Sequence, residues 1–227
     1  MLNPRQFELC FISWAKSLKE TGTLERVIAL DGKTIRGSKD SFHHQSPLHS
    51  VHAWSVDNGI CLGQIECGAK TNEITTIPQI LDLLDIKGSI ITIDAMGTQT
   101  AIAEKIIENG GDYILAVKGN QGSLEEEVHA TCKRNTPISD RCTVEKGHGR
   151  ILVLCTKYAV ETRRCEVFAC TLRSTREKGL MVDDENRWKN LTSVIKITAT
   201  REFSTGKTET HERFYTRTSY VVQVSAV

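Results

Sequence analysis

Arg26-Val-Ile-Ala-Leu-Asp31-Gly-Lys-Thr-Ile-Arg36-Gly37 opens with a short apolar run, Val27 to Leu30, and turns polar at Asp31. The run is too short for an ordinary helix, and β-branched Val27 and Ile28 favour an extended chain. It therefore reads as a buried strand that delivers a carboxylate to its C-terminal edge. Ser89-Ile-Ile-Thr-Ile-Asp94-Ala-Met-Gly97 repeats the pattern: a β-branched run, an aspartate, a turn of small residues, then a helix. Two rigid strands that each end in a carboxylate suit a divalent cation, which takes oxygen ligands in fixed geometry. Turn chemistry offers another account of either aspartate alone, since Asp bonds its own backbone and Gly accepts positive φ. Lys33 and Arg36, close behind Asp31, favour a site that handles negative charge.

Outward from these two stretches the period of the apolar residues sets the elements. Residues 4–19 carry Phe7, Cys10, Phe11, Trp14 and Leu18 near helical spacing, an amphipathic lead-in helix, with a linker from Glu20 to Thr23. Strands are predicted at His49 to Val56 and Ile60 to Glu66, joined by the tight turn Asp57-Asn58-Gly59, which gives three antiparallel strands in succession. Ile77, Ile80, Leu81 and Leu84 mark one face of a helix capped by Thr75 or Thr76, with Pro78 in its first turn. After the strand at 89–94 comes a helix through Ile102, Ile106 and Ile107, stopped at Gly110-Gly111, then a buried strand from Tyr113 to Val117. Alternating helix and strand argues for parallel pairing. Ser123-Leu-Glu-Glu126 has the form of a capping box opening a further helix, where acids at 125–127 answer the helix dipole. Beyond Pro137 strands are predicted at Ile151 to Tyr158, Cys165 to Leu172, Ser193 to Phe203 and Glu209 to Tyr215. The chain has no internal repeat and no low-complexity segment.

Composition narrows the class. The 227 residues suffice for one domain with an insertion, and 39% hydrophobic with 25% charged residues describes a globular protein. No apolar run approaches the roughly 20 residues that span a bilayer, and the N-terminus lacks a signal-peptide layout, so a cytoplasmic protein without membrane association is expected. The eight cysteines form no Cys-x-x-Cys pair and are expected to be structural thiols. His43, His44, His49 and His52 are read as solvated loop histidines rather than metal ligands. A net charge of +1 does not advertise a nucleic-acid binder, yet residues 141–178 hold nine Lys or Arg against four Glu.

Nucleotide chemistry fails on spacing. Gly32-Lys33-Thr34 and Gly206-Lys207-Thr208 mimic the end of a phosphate-binding loop, but the earlier glycine it requires is Val27 in one case and Arg201 in the other. An aspartyl-phosphate phosphatase of the haloacid dehalogenase type would place its nucleophilic Asp where Ala29 stands. No nucleotide cofactor is expected. Three antiparallel strands followed by parallel ones, with aspartates ending the first and fourth, is the layout of an α/β ribonuclease H-like mixed sheet flanked by helices.

The segments ALDGKTIRGS (29–38), KTNEITTIPQILDLLDIKGSIITIDAMGTQ (70–99), GGDYILAVKGNQGSL (110–124) and EKGHGR (145–150) resemble those of the H-repeat-associated insertion-sequence transposases, which belong to the Asp-Asp-Glu (DDE) transposases. The resemblance runs from the lead-in helix to about Tyr215. It implies a ribonuclease H-like core over 25–136 after a lead-in at 1–24, and a β-rich insertion over 137–217. It implies DNA transposition by metal-dependent cleavage and strand transfer, with Asp31 and Asp94 as catalytic, metal-holding residues and Mg²⁺ or Mn²⁺ as cofactor. Lys33, Arg36, Lys70, Lys118, Asn120, His148 and Arg150 are the implied DNA contacts, with transposon ends and target as the DNA and a homodimer as the assembly. The family's third acid is a glutamate on a helix after the insertion. Residues 218–227, TSYVVQVSAV, carry no acid and depart from that pattern, while Glu209 and Glu212 fall on a predicted strand. The sequence thus reads as a truncated copy lacking the final catalytic helix, with weak or no strand transfer expected and a DNA-binding remnant as the rival reading.

Overall fold

The computed structural model describes residues 26–134, 137–159 and 188–218 apart from 40–41, 43–45, 69–71, 148–149 and 204, together with residues 3, 6–7, 10–11 and 13–14. The chain falls into two compact units, Met1–Ile114 and Leu115–Val227. Residues 6–7, 10–11 and 13–14 are helical, in keeping with a lead-in helix, but Phe7 and Trp14 stand exposed. Among the described residues no helix is long and apolar enough to cross a membrane.

In the first unit, β1 (Arg26–Ile35), β2 (Leu48–Ser55) and β3 (Ile60–Glu66) form an antiparallel meander, and β4 (Ser89–Ile93) lies parallel to β1 on its other side. The spatial order is β3-β2-β1-β4. Helix α1 (Glu73–Leu83) lies between β3 and β4 in sequence and forms part of the long connection that a parallel pair requires, and α2 (Thr100–Glu108) follows β4. With its mixed sheet and flanking helices the fold is ribonuclease H-like, as the order of elements predicted.

β1 is longer than its apolar run. It continues to Ile35 because β2 goes on pairing with it, from Asp31↔His52 to Ile35↔Leu48, whereas its pairing with β4 ends at Leu30↔Ile93. Burial follows that division: Ile28 and Leu30 are buried, and Asp31, Lys33, Thr34 and Ile35 are exposed. β4 has only Thr92 partly exposed, the pattern of a strand covered on both faces. Arg26 fastens the start of the pair, its Nε donating to Ser89 Oγ at 2.8 Å and its Nη2 to the Asp85 carbonyl.

α1 starts earlier than its apolar spacing indicates. Asn72 is the cap, its side chain accepting the Thr75 N–H at 3.2 Å, while the Thr75 and Thr76 hydroxyls donate to the Asn72 carbonyl. Pro78 consequently lies inside the helix. Ile77, Ile80 and Leu81 are buried as expected, and α2 buries Ile102, Ala103 and Ile106. Gly110 ends the region after α2 at φ 76°, a conformation that favours glycine.

β5 (Asp112–Val117) leads from the first unit into the second. There α3 (Gly122–Arg134) follows a 3₁₀ turn at Gly119–Gln121, so Ser123 lies within the helix instead of capping it. β6 (Pro137–Gly147), β7 (Arg150–Ala159), β8 (Ser193–Phe203) and β9 (Thr208–Arg217) form an antiparallel meander. β6 has no counterpart in the sequence reading, since its polar residues give no apolar run. The strand predicted at Cys165 to Leu172 lies outside the described residues. Cys142, opposite Cys155 in the β6–β7 register, is disulfide-bonded, contrary to the expectation of structural thiols; Cys10, Cys61, Cys67 and Cys132 are free. Leu124 and Val128 of α3 are buried, and His129 stacks on Phe214 of β9 with centroids 4.1 Å apart.

Candidate functional site

The parallel register brings the two aspartates together. Leu30 and Ile93 are the last paired residues of β1 and β4, and Asp31 and Asp94 follow them directly. Leu30 and Ile93 are both buried, so alternation turns the next residue on each strand to the opposite face, and both aspartates are exposed. Neighbouring strands lie about 4.8 Å apart. Like charges side by side on paired strands are destabilising, and among the described residues neither carboxylate is in an ion pair. Two exposed carboxylates thus follow the last paired residues of neighbouring strands.

The surroundings of the two differ. Asp94 Oδ1 accepts the N–H groups of Met96 and Gly97, each at 3.1 Å, so one of its oxygens organises the turn that follows β4. Turn chemistry thus occupies one of the two Asp94 oxygens. Thr98 Oγ1 donates to the Asp94 carbonyl at 3.0 Å and holds the same turn. Gly97 is buried here, and a Cβ at that position would overlap the side chains of Ile93 and Ile77. Asp31 makes no such turn, because β1 runs straight through Gly32.

The chemistry of the donor set would suit a hard divalent cation: two exposed carboxylates, one on β1 and one directly after β4. Among the described residues no three His, Cys, Asp or Glu side chains stand together as a metal cluster. Lys33 is exposed on the same face of β1 as Asp31, and Arg36 is exposed in the 3₁₀ turn Arg36–Ser38 that follows the strand. Lys118 and Asn120 are exposed in the second unit, before α3. Arg150 begins β7, opposite Gly147 in the register. Lys70 and His148 lie outside the described residues.

His49 corrects the sequence reading. It sits in β2 with its side chain 30% exposed, and its Nε2 is 2.8 Å from Glu73 Oε1. Its Nδ1 is 2.9 Å from Thr34 Oγ1. His52, also in β2, pairs with Ser50 Oγ at 2.7 Å, so neither is a solvated loop histidine; His43 and His44 lie outside the described residues. Glu73 gave no sequence signal beyond that of an acid in a first helical turn. In the second unit Glu209 is paired to Lys207 at 2.7 Å and Glu212 to Lys196 at 2.6 Å, both on the β8–β9 hairpin. The Lys207 ammonium beside Glu209 holds its carboxyl below the usual range.

Residues 22–212 match the family model described as the transposase DDE domain. The chain is 46% identical over 153 residues to the Escherichia coli K12 protein YbfL, covering 66% of this chain and 40% of the relative. It is 45% identical over 153 residues to "H repeat-associated putative transposase YhhI" of the same organism, with the same coverage of each chain. A Xanthobacter autotrophicus protein encoded in the dhlA 3' region is 35% identical over 207 residues, 90% of this chain and 64% of its own length. The chain thus spans about two-fifths of the length of the first two relatives. A piggyBac transposase synaptic complex with hairpin DNA aligns at 12% identity and a TM-score of 0.39, over 66% of this chain and 34% of that one. With the family model covering most of its length, the chain belongs to the DDE transposases.

Proposed function

We propose that this chain supplies catalytic carboxylates for DNA transposition, with Asp31 and Asp94 holding Mg²⁺ or Mn²⁺ for cleavage of a DNA phosphodiester and transfer of the strand in the cytoplasm. The observation that carries the reading is the parallel pairing of β1 with β4, whose last partners, Leu30 and Ile93, are each followed directly by an exposed aspartate. When bound, the cation lowers the pKa of a water or 3′-hydroxyl and neutralises charge on the phosphodiester. Asp31, carried on a continuous strand, contributes a carboxylate with no turn to serve. Asp94 contributes the oxygen that its turn leaves over, and the amides of Met96 and Gly97 fix its orientation. Lys33 and Arg36 hold the DNA backbone beside the aspartates, since phosphate contacts position such substrates without reading sequence. Lys70, Lys118, Asn120, His148 and Arg150 are further DNA contacts in this reading, and a homodimer brings two DNA ends together.

DNA binding without turnover is the second reading. It is favoured by the absence of a three-residue acidic cluster among the described residues, because sites that act as a unit lose activity steeply when one member is missing. Nicking of supercoiled DNA by the purified chain in Mg²⁺ or Mn²⁺, with Asp94→Ala as control, separates the two. Nicking that the control loses supports catalysis. Silence from both proteins, with DNA still bound, supports the second reading.

A further inference from the structure

Beyond Leu30 nothing from β4 supports β1, and residues 31–35 pair only with β2. β3 backs β2 only as far as Ser50↔Glu66, so beyond Lys33 the paired chains thin to a two-stranded ribbon at Thr34–Ile35 and Leu48–His49, and with β4 gone the setting of this stretch, Asp31 included, depends on what holds that end. The holder comes from α1. Gly32 has no side chain, and the Glu73 carboxylate fills the space where one would stand; a Cβ at residue 32 would overlap the carboxylate carbon and both oxygens. The Glu73 side chain is only 14% exposed, and a carboxylate so covered requires a hydrogen-bond partner. His49 supplies it, donating from Nε2 to Oε1 at 2.8 Å. A carboxylate only accepts, so a ring proton belongs on Nε2, and Nδ1 lies 2.9 Å from Thr34 Oγ1, accepting the hydroxyl in the neutral ring. Thr34 and His49 are direct partners across the ribbon. The chain of bonds therefore ties both strands of the ribbon to α1, which buried Ile77, Ile80 and Leu81 fix in turn. A helix-dipole role explains an acid at the start of α1, but not why β1 has no side chain where that acid lands.

We infer that Glu73 is the positioning residue for Asp31, acting through His49 and Thr34 to set the β1–β2 ribbon. The inference rests on the reading of Asp31 as a metal-holding carboxylate. Glu73 does not touch the cation; it decides where the carboxylate that does so stands. Glu73→Gln keeps the size of the side chain and an acceptor oxygen for His49, whereas Glu73→Ala removes both.

Two readouts on the intact chain test this. In amide hydrogen exchange, Glu73→Ala is expected to speed exchange at 31–35 while 26–30 keep their protection, and Glu73→Gln restores the slow rate. In Mn²⁺ calorimetry, Glu73→Ala is expected to weaken binding about tenfold, the usual consequence of losing an outer-shell partner, and Glu73→Gln recovers most of it. Unchanged exchange at 31–35 in Glu73→Ala overturns the inference. So does a Glu73→Gln variant with normal exchange but metal binding as weak as that of Glu73→Ala, since the charge would then act on the cation directly. Mn²⁺ binding that survives Asp31→Asn unchanged overturns the metal reading instead, and the exchange data tell that failure from failure of the clamp.

Discussion

Asp94 has two carboxylate oxygens and, on the proposed reading, two jobs for them. One organises the turn from Asp94 to Thr98, and Gly97 makes that turn fit by leaving room for Ile93 and Ile77. Gly97→Ala forces a methyl into packed side chains, and overpacking of this kind costs about 1–3 kcal/mol. Urea unfolding should therefore show a lower midpoint at unchanged slope, and an unaltered midpoint would contradict the packing described. The two aspartates were legible in the sequence because each ends a β-branched run. Glu73 and His49 were not: an acid in a first helical turn and a histidine at a strand start look ordinary, and only the pairing of Thr34 with His49 brings them together.

The elements show where periodicity suffices and where it does not. Ile77, Ile80 and Leu81 identified α1, but its start was misplaced because Asn72 lies outside the apolar repeat and outcompetes Thr75 and Thr76 as cap. β1 was read short because its last residues are polar on an exposed ribbon, and β6 was missed for a similar lack of apolar pattern. α1 and α2 are also joined on their exposed side, where Lys105 Nζ lies 2.6 Å from Asp82 Oδ1. The hydrogen bond and charge of Lys105 hold the Asp82 carboxyl below its ordinary range. A depressed folded-state pKa stabilises above the unfolded value and loses that contribution as pH falls through the folded one. An NMR titration should show Asp82 titrating below ordinary aspartate, with Lys105→Met returning it upward. A titration unmoved by that substitution would refute the tie, whose effect on stability is small because the pair is exposed.

At the scale of the molecule, the order β3-β2-β1-β4 is what brings two distant stretches of sequence onto neighbouring strands. The sequence offered two strands ending in aspartate; the parallel register sets both aspartates directly after paired residues, and the chemistry proposed for them is the holding of a cation. Asp31 and Asp94 are proposed to hold one divalent cation between them, and paramagnetic broadening of amide NMR signals during a Mn²⁺ titration tests that sharing. Signals from 31–32 and 94–97 are expected to broaden first and together, and Asp31→Asn to remove the broadening at both stretches. Broadening that begins elsewhere, or that persists at 94–97 in Asp31→Asn, would contradict a shared site.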